Sequence, residues 1–210
     1  LRAMINLKDL TRFEQFLRLL AGRVGQLVNY ASLANDVGVS AVTIKNWISV
    51  LKASFILFEL SPYFSNIRKR VIKSSKLYFI DVGLAAWLLG LETAEQAERD
   101  PLRGALYENL LILEAVKKIL NQGRKPIVHF YRDAKNNEVD LLIFSGRHLA
   151  AIEIKSAKTF QPEFVKGIED FKDAFPKHTT IQGFVWYNGD RKTEYQKTRI
   201  YNPLLHGLDW

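Results

Sequence analysis

The 210-residue chain contains no cysteine. Disulfides and Cys-based zinc sites are thereby excluded, and the composition suits a cytoplasmic protein. The four histidines, His129, His148, His178 and His206, are scattered without ligand spacing, which argues against a His-rich metal centre and leaves them as surface or core residues. No apolar run approaches the roughly 18 residues needed to span a bilayer, so no membrane partner is expected. The first residues show no signal-peptide pattern. Internal repeats and low-complexity segments are absent. So are a Gly-x-x-x-x-Gly-Lys-Ser/Thr phosphate loop, a Gly-x-Ser-x-Gly elbow and a His-Glu-x-x-His helix, and with them any ATP site in this chain.

What is present is a globular composition, 48% hydrophobic and 25% charged, enough for one large domain or two small ones. The net charge is +8 and the sequence pI about 9.6. Residues 1–82 carry twelve Lys/Arg against five Asp/Glu, while residues 83–102 carry one Arg against four acids. A basic N-terminal half fits a polyanionic partner, and simple solubility would leave the same imbalance. The chain opens on Leu1 rather than Met, which fits a piece excised from something longer.

Leu10, Phe13, Leu17 and Leu20 recur at helical spacing, with Gly22 and Gly25 as stops. From Ser32 to Leu51, Ser32 and Ser40 are positioned as N-caps and Gly38 as a breaker, the pattern of a helix-turn-helix. On its second helix Ile44, Trp47, Ile48 and Leu51 form the inward stripe. Thr43, Lys45 and Asn46 look outward, as side chains for base edges and phosphates do. A scaffold helical hairpin would show the same stripe. Two β-like runs follow, Phe55–Leu60 and Lys76–Ile80, with Arg68, Lys69 and Arg70 between them. A hairpin after a helix-turn-helix makes a winged helix with a basic wing tip suited to phosphates. The acidic stretch from Glu92 to Asp100 reads as linker. The expected organisation is therefore a winged helix-turn-helix over 1–90, a linker over 91–102, and a second domain over 103–210.

The second domain turns on two strands. Asp140 lies in Glu138–Phe144, and Glu153 and Lys155 lie in Ala150–Ser156. Strict alternation puts Glu153 and Lys155 on one face. It groups Asp140 with Leu142, and turns Val139 and Leu141 the other way. Paired as neighbours, the strands gather two carboxylates and an ammonium. Two close carboxylates cannot both ionise cheaply without a cation between them. A hard ion such as Mg2+ or Mn2+ prefers their oxygens and bridges to phosphate. Lys155 then serves to orient water or to offset developing charge. A solvated strand edge carrying a Glu/Lys pair is the plain alternative. On the helix Leu106–Leu120, Glu108 falls on the apolar arc of Leu111, Ile112, Ala115 and Ile119, whereas Glu114 lies with Lys117 and Lys118. An inward Glu needs a partner. Joining Asp140 and Glu153 is one solution, and a local partner at the helix start is the other. Helix, three strands, a Phe-striped helix (Phe164, Ile168, Phe171, Phe175) and a further strand complete an α/β (α+β) domain.

Asp140…Glu153-x-Lys155 resembles the motif of the PD-(D/E)xK nuclease superfamily, whose core has this element order. Over nearly its whole length the chain is also similar to the C-terminal domain-of-unknown-function module of prokaryotic AAA+-type ATPases. The residues that carry this likeness include Gly25-Gln26-Leu27-Val28-Asn29, Thr43-Ile44-Lys45-Asn46-Trp47, Lys76-Leu77-Tyr78-Phe79-Ile80-Asp81-Val82-Gly83-Leu84, Tyr107-Glu108-Asn109, Glu138-Val139-Asp140 and Ile152-Glu153-Ile154-Lys155. The resemblance implies a winged helix followed by a restriction-endonuclease-like mixed-sheet domain, and an ATPase domain elsewhere in the full-length protein as partner. The expected function is a DNA-associated module with a metal-dependent phosphodiesterase site. Asp140 and Glu153 would hold the metal, with Lys155 catalytic and Glu108 accessory. The alternative is a catalytically idle DNA- or protein-binding module of the ATPase.

Overall fold

The computed structural model describes residues 10–63, 74–146, 148–175 and 180–210. Arg68, Lys69 and Arg70 of the expected wing tip lie outside the described residues, as does His178. The fold is α+β, with eight α-helices, a two-stranded sheet and a six-stranded mixed sheet among the described residues. The chain forms two compact units, one of residues 10–59 and 74–109, the other of residues 60–63 and the described residues from 110 onward.

The first unit begins with α1 (Leu10–Ala21), α2 (Tyr30–Val37) and α3 (Ala41–Ala53). Asn29 caps α2 through the Ser32 amide, Gly38 ends it at φ 74°, and Ser40 caps α3 through the Thr43 amide. Asn29 therefore fills the role expected of Ser32. Ile44, Trp47, Ile48 and Leu51 of α3 are buried. On α1 the buried stripe runs through Phe13, Phe16 and Leu20, with Leu17 only half-buried. Both phenylalanines pack on Trp47, at ring-centroid distances of 5.2 Å and 5.3 Å, and that contact rotates the helix toward Phe16.

Strands β1 (Leu57–Leu60) and β2 (Lys76–Phe79) pair, and Gly25 and Val28 add backbone bonds to Leu77 and Ser75. Asp81 caps α4 (Val82–Leu88). The acidic stretch read as linker contains a helix, α5 (Ala94–Arg99), because Thr93 and Gln96 form a reciprocal capping box. None of its residues is buried. Helix α6 (Arg103–Asn121) then contributes Asn109, which is fully buried. Its side chain accepts from the Phe79 amide at 2.8 Å and donates to the Phe79 carbonyl at 2.7 Å. One amide side chain thus replaces a missing strand neighbour for β2.

In the second unit the strands are β3 (Val128–Arg132), β4 (Glu138–Ser145), β5 (His148–Lys155), β6 (Thr180–Tyr187), β7 (Thr193–Tyr195) and β8 (Thr198–Tyr201). Their spatial order is β3-β4-β5-β6-β8-β7. The β3-β4-β5 meander and the β7-β8 pair are antiparallel, and β5-β6 and β6-β8 are parallel. A 3-10 turn (Pro162–Val165) and α7 (Lys166–Ala174) form the crossover from β5 to β6. Ile168 and Phe171 of α7 pack with Val139, Leu142, Leu149, Ala151 and Val185. Leu141, Ile152, Phe184 and Trp186 are buried too. The central strands are thus covered on both faces, which explains their nearly continuous apolar sequence. A short helix, α8 (Pro203–His206), follows the sheet.

Strict alternation fails at one place in β4. His129 pairs with Leu142 and Tyr131 with Val139, so Asp140 and Leu141 together span Phe130. This is a β-bulge. It returns Val139 to the α7 side with Leu142, against the alternation expected from the sequence.

Asn109→Ala should leave both Phe79 backbone groups without partners. Buried unsatisfied groups cost about 1–3 kcal/mol each, so a loss of about 2–6 kcal/mol is expected for the two. A lower urea midpoint at unchanged slope would record it. A midpoint within error of wild type would show that β2 does not depend on this clamp.

Candidate active site

The bulge and the end of β5 build the site. The β4–β5 ladder runs from Ser145↔His148 to Leu141↔Ile152. Beyond it Asp140 Oδ2 accepts from the Ile154 amide at 2.8 Å, so a carboxylate stands where a strand carbonyl would. Asp140 is buried, at 7% exposure. Glu153 lies on the adjoining strand with its side chain 12% exposed, and Lys155 Nζ donates to its Oε1 at 2.5 Å. The other oxygen, Oε2, is buried and has no hydrogen-bond partner among the described residues.

Burial and the neighbouring Asp140 charge push the Glu153 carboxyl up to about 8, against the partial relief that Lys155 gives. The charge of Glu138 pushes the same way. Glu138 was not singled out from the sequence as a site residue, although a Glu two positions before Asp140 on the same strand is a readable signal. Gly167 also belongs to the site, with no local signal in the sequence. A Cβ there would lie 2.3 Å from the Glu138 carbonyl oxygen and 3.6 Å from Glu153 Oε2. Only glycine lets the first turn of α7 close over these acids.

Asp140, Glu153 and Lys155 are therefore gathered within the second unit. Glu108 is held within the first unit. Its Oε1 accepts from Tyr78 OH at 2.5 Å and Lys76 Nζ at 3.1 Å, with Lys76 only 4% exposed. The inward turn inferred from its helical arc thus meets a local ion pair. On α3, Lys45 and Asn46 are exposed, while the Thr43 hydroxyl is 2.8 Å from Ser40 Oγ inside the helix cap.

Among the described residues no group of three or more His, Cys, Asp or Glu side chains is placed to hold a metal. The pair Asp140 and Glu153 still fits a hard divalent cation. Its donors are carboxylate oxygens, one of them an orphaned buried oxygen whose ionisation is opposed by a second anion.

The pH dependence of stability follows from Glu153. Its carboxyl ionises at an ordinary 4.5 in the unfolded chain and near 8 in the folded one. The folded state holds the proton longer, so the stabilisation is complete below about 4.5 and lost as pH rises through about 8. Urea unfolding of the wild type should show stability falling by a few kcal/mol over that window, since one unit is worth about 1.4 kcal/mol. Glu153→Gln should flatten the fall. A Gln variant with the same pH slope as wild type would place the titration elsewhere.

Two family models match the chain, both described as domains of unknown function: DUF8612 over residues 1–95 and DUF4143 over residues 103–205. The chain is 34% identical over 142 residues to the uncharacterized proteins Rv2008c of Mycobacterium tuberculosis and Mb2031c of Mycobacterium bovis. Those alignments cover 67% of this chain and 31% of each relative. The uncharacterized protein MJ1637 of Methanocaldococcus jannaschii is 34% identical over 84 residues, 39% of this chain and 18% of that protein. The chain thus spans about a third of the length of the mycobacterial relatives it matches.

Proposed function

We propose that the second unit is a metal-dependent phosphodiesterase module of the PD-(D/E)xK type. The observation that carries this reading is the buried Glu153 oxygen without a partner, beside a second carboxylate and one lysine. Asp140 and Glu153 would hold Mg2+ or Mn2+. A bound ion of this kind lowers the pKa of water and stabilises charge on a phosphoryl oxygen. Asp140 is fixed in place by the Ile154 amide, so its geometry is set before any ligand arrives. Lys155 sits 2.5 Å from Glu153 and offers its ammonium to the water or to charge that develops on phosphate. The fold carrying it would be restriction-endonuclease-like.

The first unit would be a winged helix-turn-helix that brings the module to DNA, with Lys45 and Asn46 of α3 toward the duplex. The wing tip Arg68-Lys69-Arg70 belongs to this reading from the sequence alone. The relatives' greater length fits a module that works as the C-terminal part of a cytoplasmic AAA+-type ATPase, with that ATPase domain as partner. A second reading is a catalytically idle binding module. It is favoured by the lack, among the described residues, of a group of three His, Cys, Asp or Glu side chains placed to hold a metal, and by the engagement of Lys155 with Glu153.

Titration calorimetry with Mg2+ or Mn2+ separates the roles. Asp140→Asn should abolish metal binding. Lys155→Ala should keep it and lose about 100- to 1,000-fold in cutting rate, the usual cost of one transition-state donor. Supercoiled plasmid and short single strands serve as substrates, with EDTA as control. Nicking that persists in EDTA, or is equal in both variants and wild type, counts against the site. Metal bound normally with no cutting of any substrate selects the idle module.

Duplex DNA should bind through α3. Replacing Lys45 and Asn46 together by Ala should weaken binding. The slope of affinity against salt should fall by about one unit for each phosphate the protein no longer neutralises. An unchanged affinity and slope would remove α3 from the interface.

A further inference from the structure

A cleft lies beside the site at the carboxyl end of β5 and β6. Its volume is about 460 Å3, within the roughly 300–1,000 Å3 of small-molecule pockets. Lys158, Thr159 and Phe160 line it from the segment after β5, and Tyr187, Asp190, Arg191 and Thr193 from the end of β6 onward.

The walls are fixed without a ligand. Tyr187 OH donates to the Arg191 carbonyl at 2.9 Å and accepts from the Arg191 amide at 3.0 Å. The Asn188 amide is shared between the carbonyls of Lys155, at 3.2 Å, and Ala157, at 3.1 Å. Gly189 is wedged so tightly that a Cβ would fall 2.4 Å from the Lys158 carbonyl oxygen and 2.2 Å from the Tyr187 ring. The loop after β6 is thus pinned to the strand end that carries Lys155.

A row of aromatic rings connects the cleft to the site. Lys155 Nζ lies 6.0 Å from the centroid of Phe164, whose ring is 6.0 Å from Phe160, and Phe160 is 5.7 Å from Tyr195. Three successive rings with a cation at one end resemble the aromatic platforms on which proteins hold unstacked nucleotides.

We propose that this cleft receives the unpaired base next to the phosphodiester held at Asp140 and Glu153, which makes single-stranded nucleic acid the substrate class of the second unit. The word substrate rests on the phosphodiesterase reading, whereas the assignment of the cleft to a base does not. A base inside a duplex has both faces stacked and cannot offer one to Phe160, whereas an unpaired base can. Lys158 and Arg191 answer the backbone charge. Asp190 argues against a bare phosphate as the occupant, since its carboxylate would repel one. It can instead accept from the exocyclic amino group of a base.

Anisotropy with labelled DNA tests this. A short single strand and a blunt duplex of the same sequence are compared in EDTA, where no cutting occurs. The single strand should bind Phe160→Ala about 5- to 150-fold more weakly than wild type, the range for losing one base stack, with duplex affinity unchanged. Phe160 is half-buried, so the exposed pair Lys158→Glu and Arg191→Glu is a second variant that leaves the core alone. It too should weaken the single strand selectively. Equal losses for both DNA forms, or none, would overturn the assignment. So would dTMP displacing the strand at the strand's own affinity, which would give the cleft to a free nucleotide. Asp140→Asn should retain the single-strand preference. If the preference holds and the wild type cuts nothing with Mg2+ or Mn2+, the phosphodiesterase reading fails and the cleft remains a base subsite.

Discussion

Two carboxylates buried side by side repel each other more strongly than they would in water, and the second unit is arranged around that repulsion. The two acids are answered differently. Asp140 takes a backbone amide, which fixes its position. Glu153 has a lysine on one oxygen and, among the described residues, no partner on the other, and its carboxyl is pushed up to about 8. A buried acid whose ionisation is opposed by a neighbouring acid marks a site where protonation or a cation does something. A purely structural ion pair would be expected to have both oxygens of Glu153 satisfied, because an unmet buried acceptor is costly.

The fold makes this arrangement possible through three local departures from regularity. The bulge takes Asp140 out of the β3 register and leaves the neighbouring strand amide for it to cap. Gly167 lets α7 lie directly on the Glu138 backbone and beside Glu153 Oε2. The crossover from β5 to β6 keeps α7 over that face, with Ile168 and Phe171 in the apolar cluster. Removing any of these would let solvent in or move one acid off the other, and the electrostatic coupling would fade with the dielectric.

The sequence carried the strands, the helix pair at the N-terminal end and the Phe stripe of α7, because apolar periodicity reports burial directly. It carried Asp140, Glu153 and Lys155 as candidates because charges inside apolar strands are anomalous. What it did not carry was geometry set by tertiary contact. The bulge is invisible to a period of two, so strict alternation puts Val139 on the wrong face. Leu17 and Phe16 both fit a helical stripe, and only packing on Trp47 decides between them. The helix α5 hid in a segment whose acidity resembled a linker, although Thr93 and Gln96 spell its capping box. Gly167 and Gly189 gave no local signal, since their need for hydrogen as a side chain comes from backbone brought from elsewhere in the chain.

Glu108 shows where arc reasoning stops. Its helical position established that it points inward and must be compensated, but inwardness does not name the partner. The partner is a lysine and a tyrosine from one strand of its own unit, and Gly25 lies against the same carboxylate at φ 73°. A Glu so engaged already has its charge balanced by Lys76 and one oxygen in two hydrogen bonds, so recruiting it to a metal would leave a nearly buried ammonium to be answered by something else. The physical case for chemistry therefore rests on Asp140, Glu153 and Lys155, with Glu138 as the nearby charge that sharpens the cost of ionising Glu153. The Glu108 network has a different consequence: together with the Asn109 clamp on Phe79, it ties one turn of α6 to β2 by both charge and backbone hydrogen bonds.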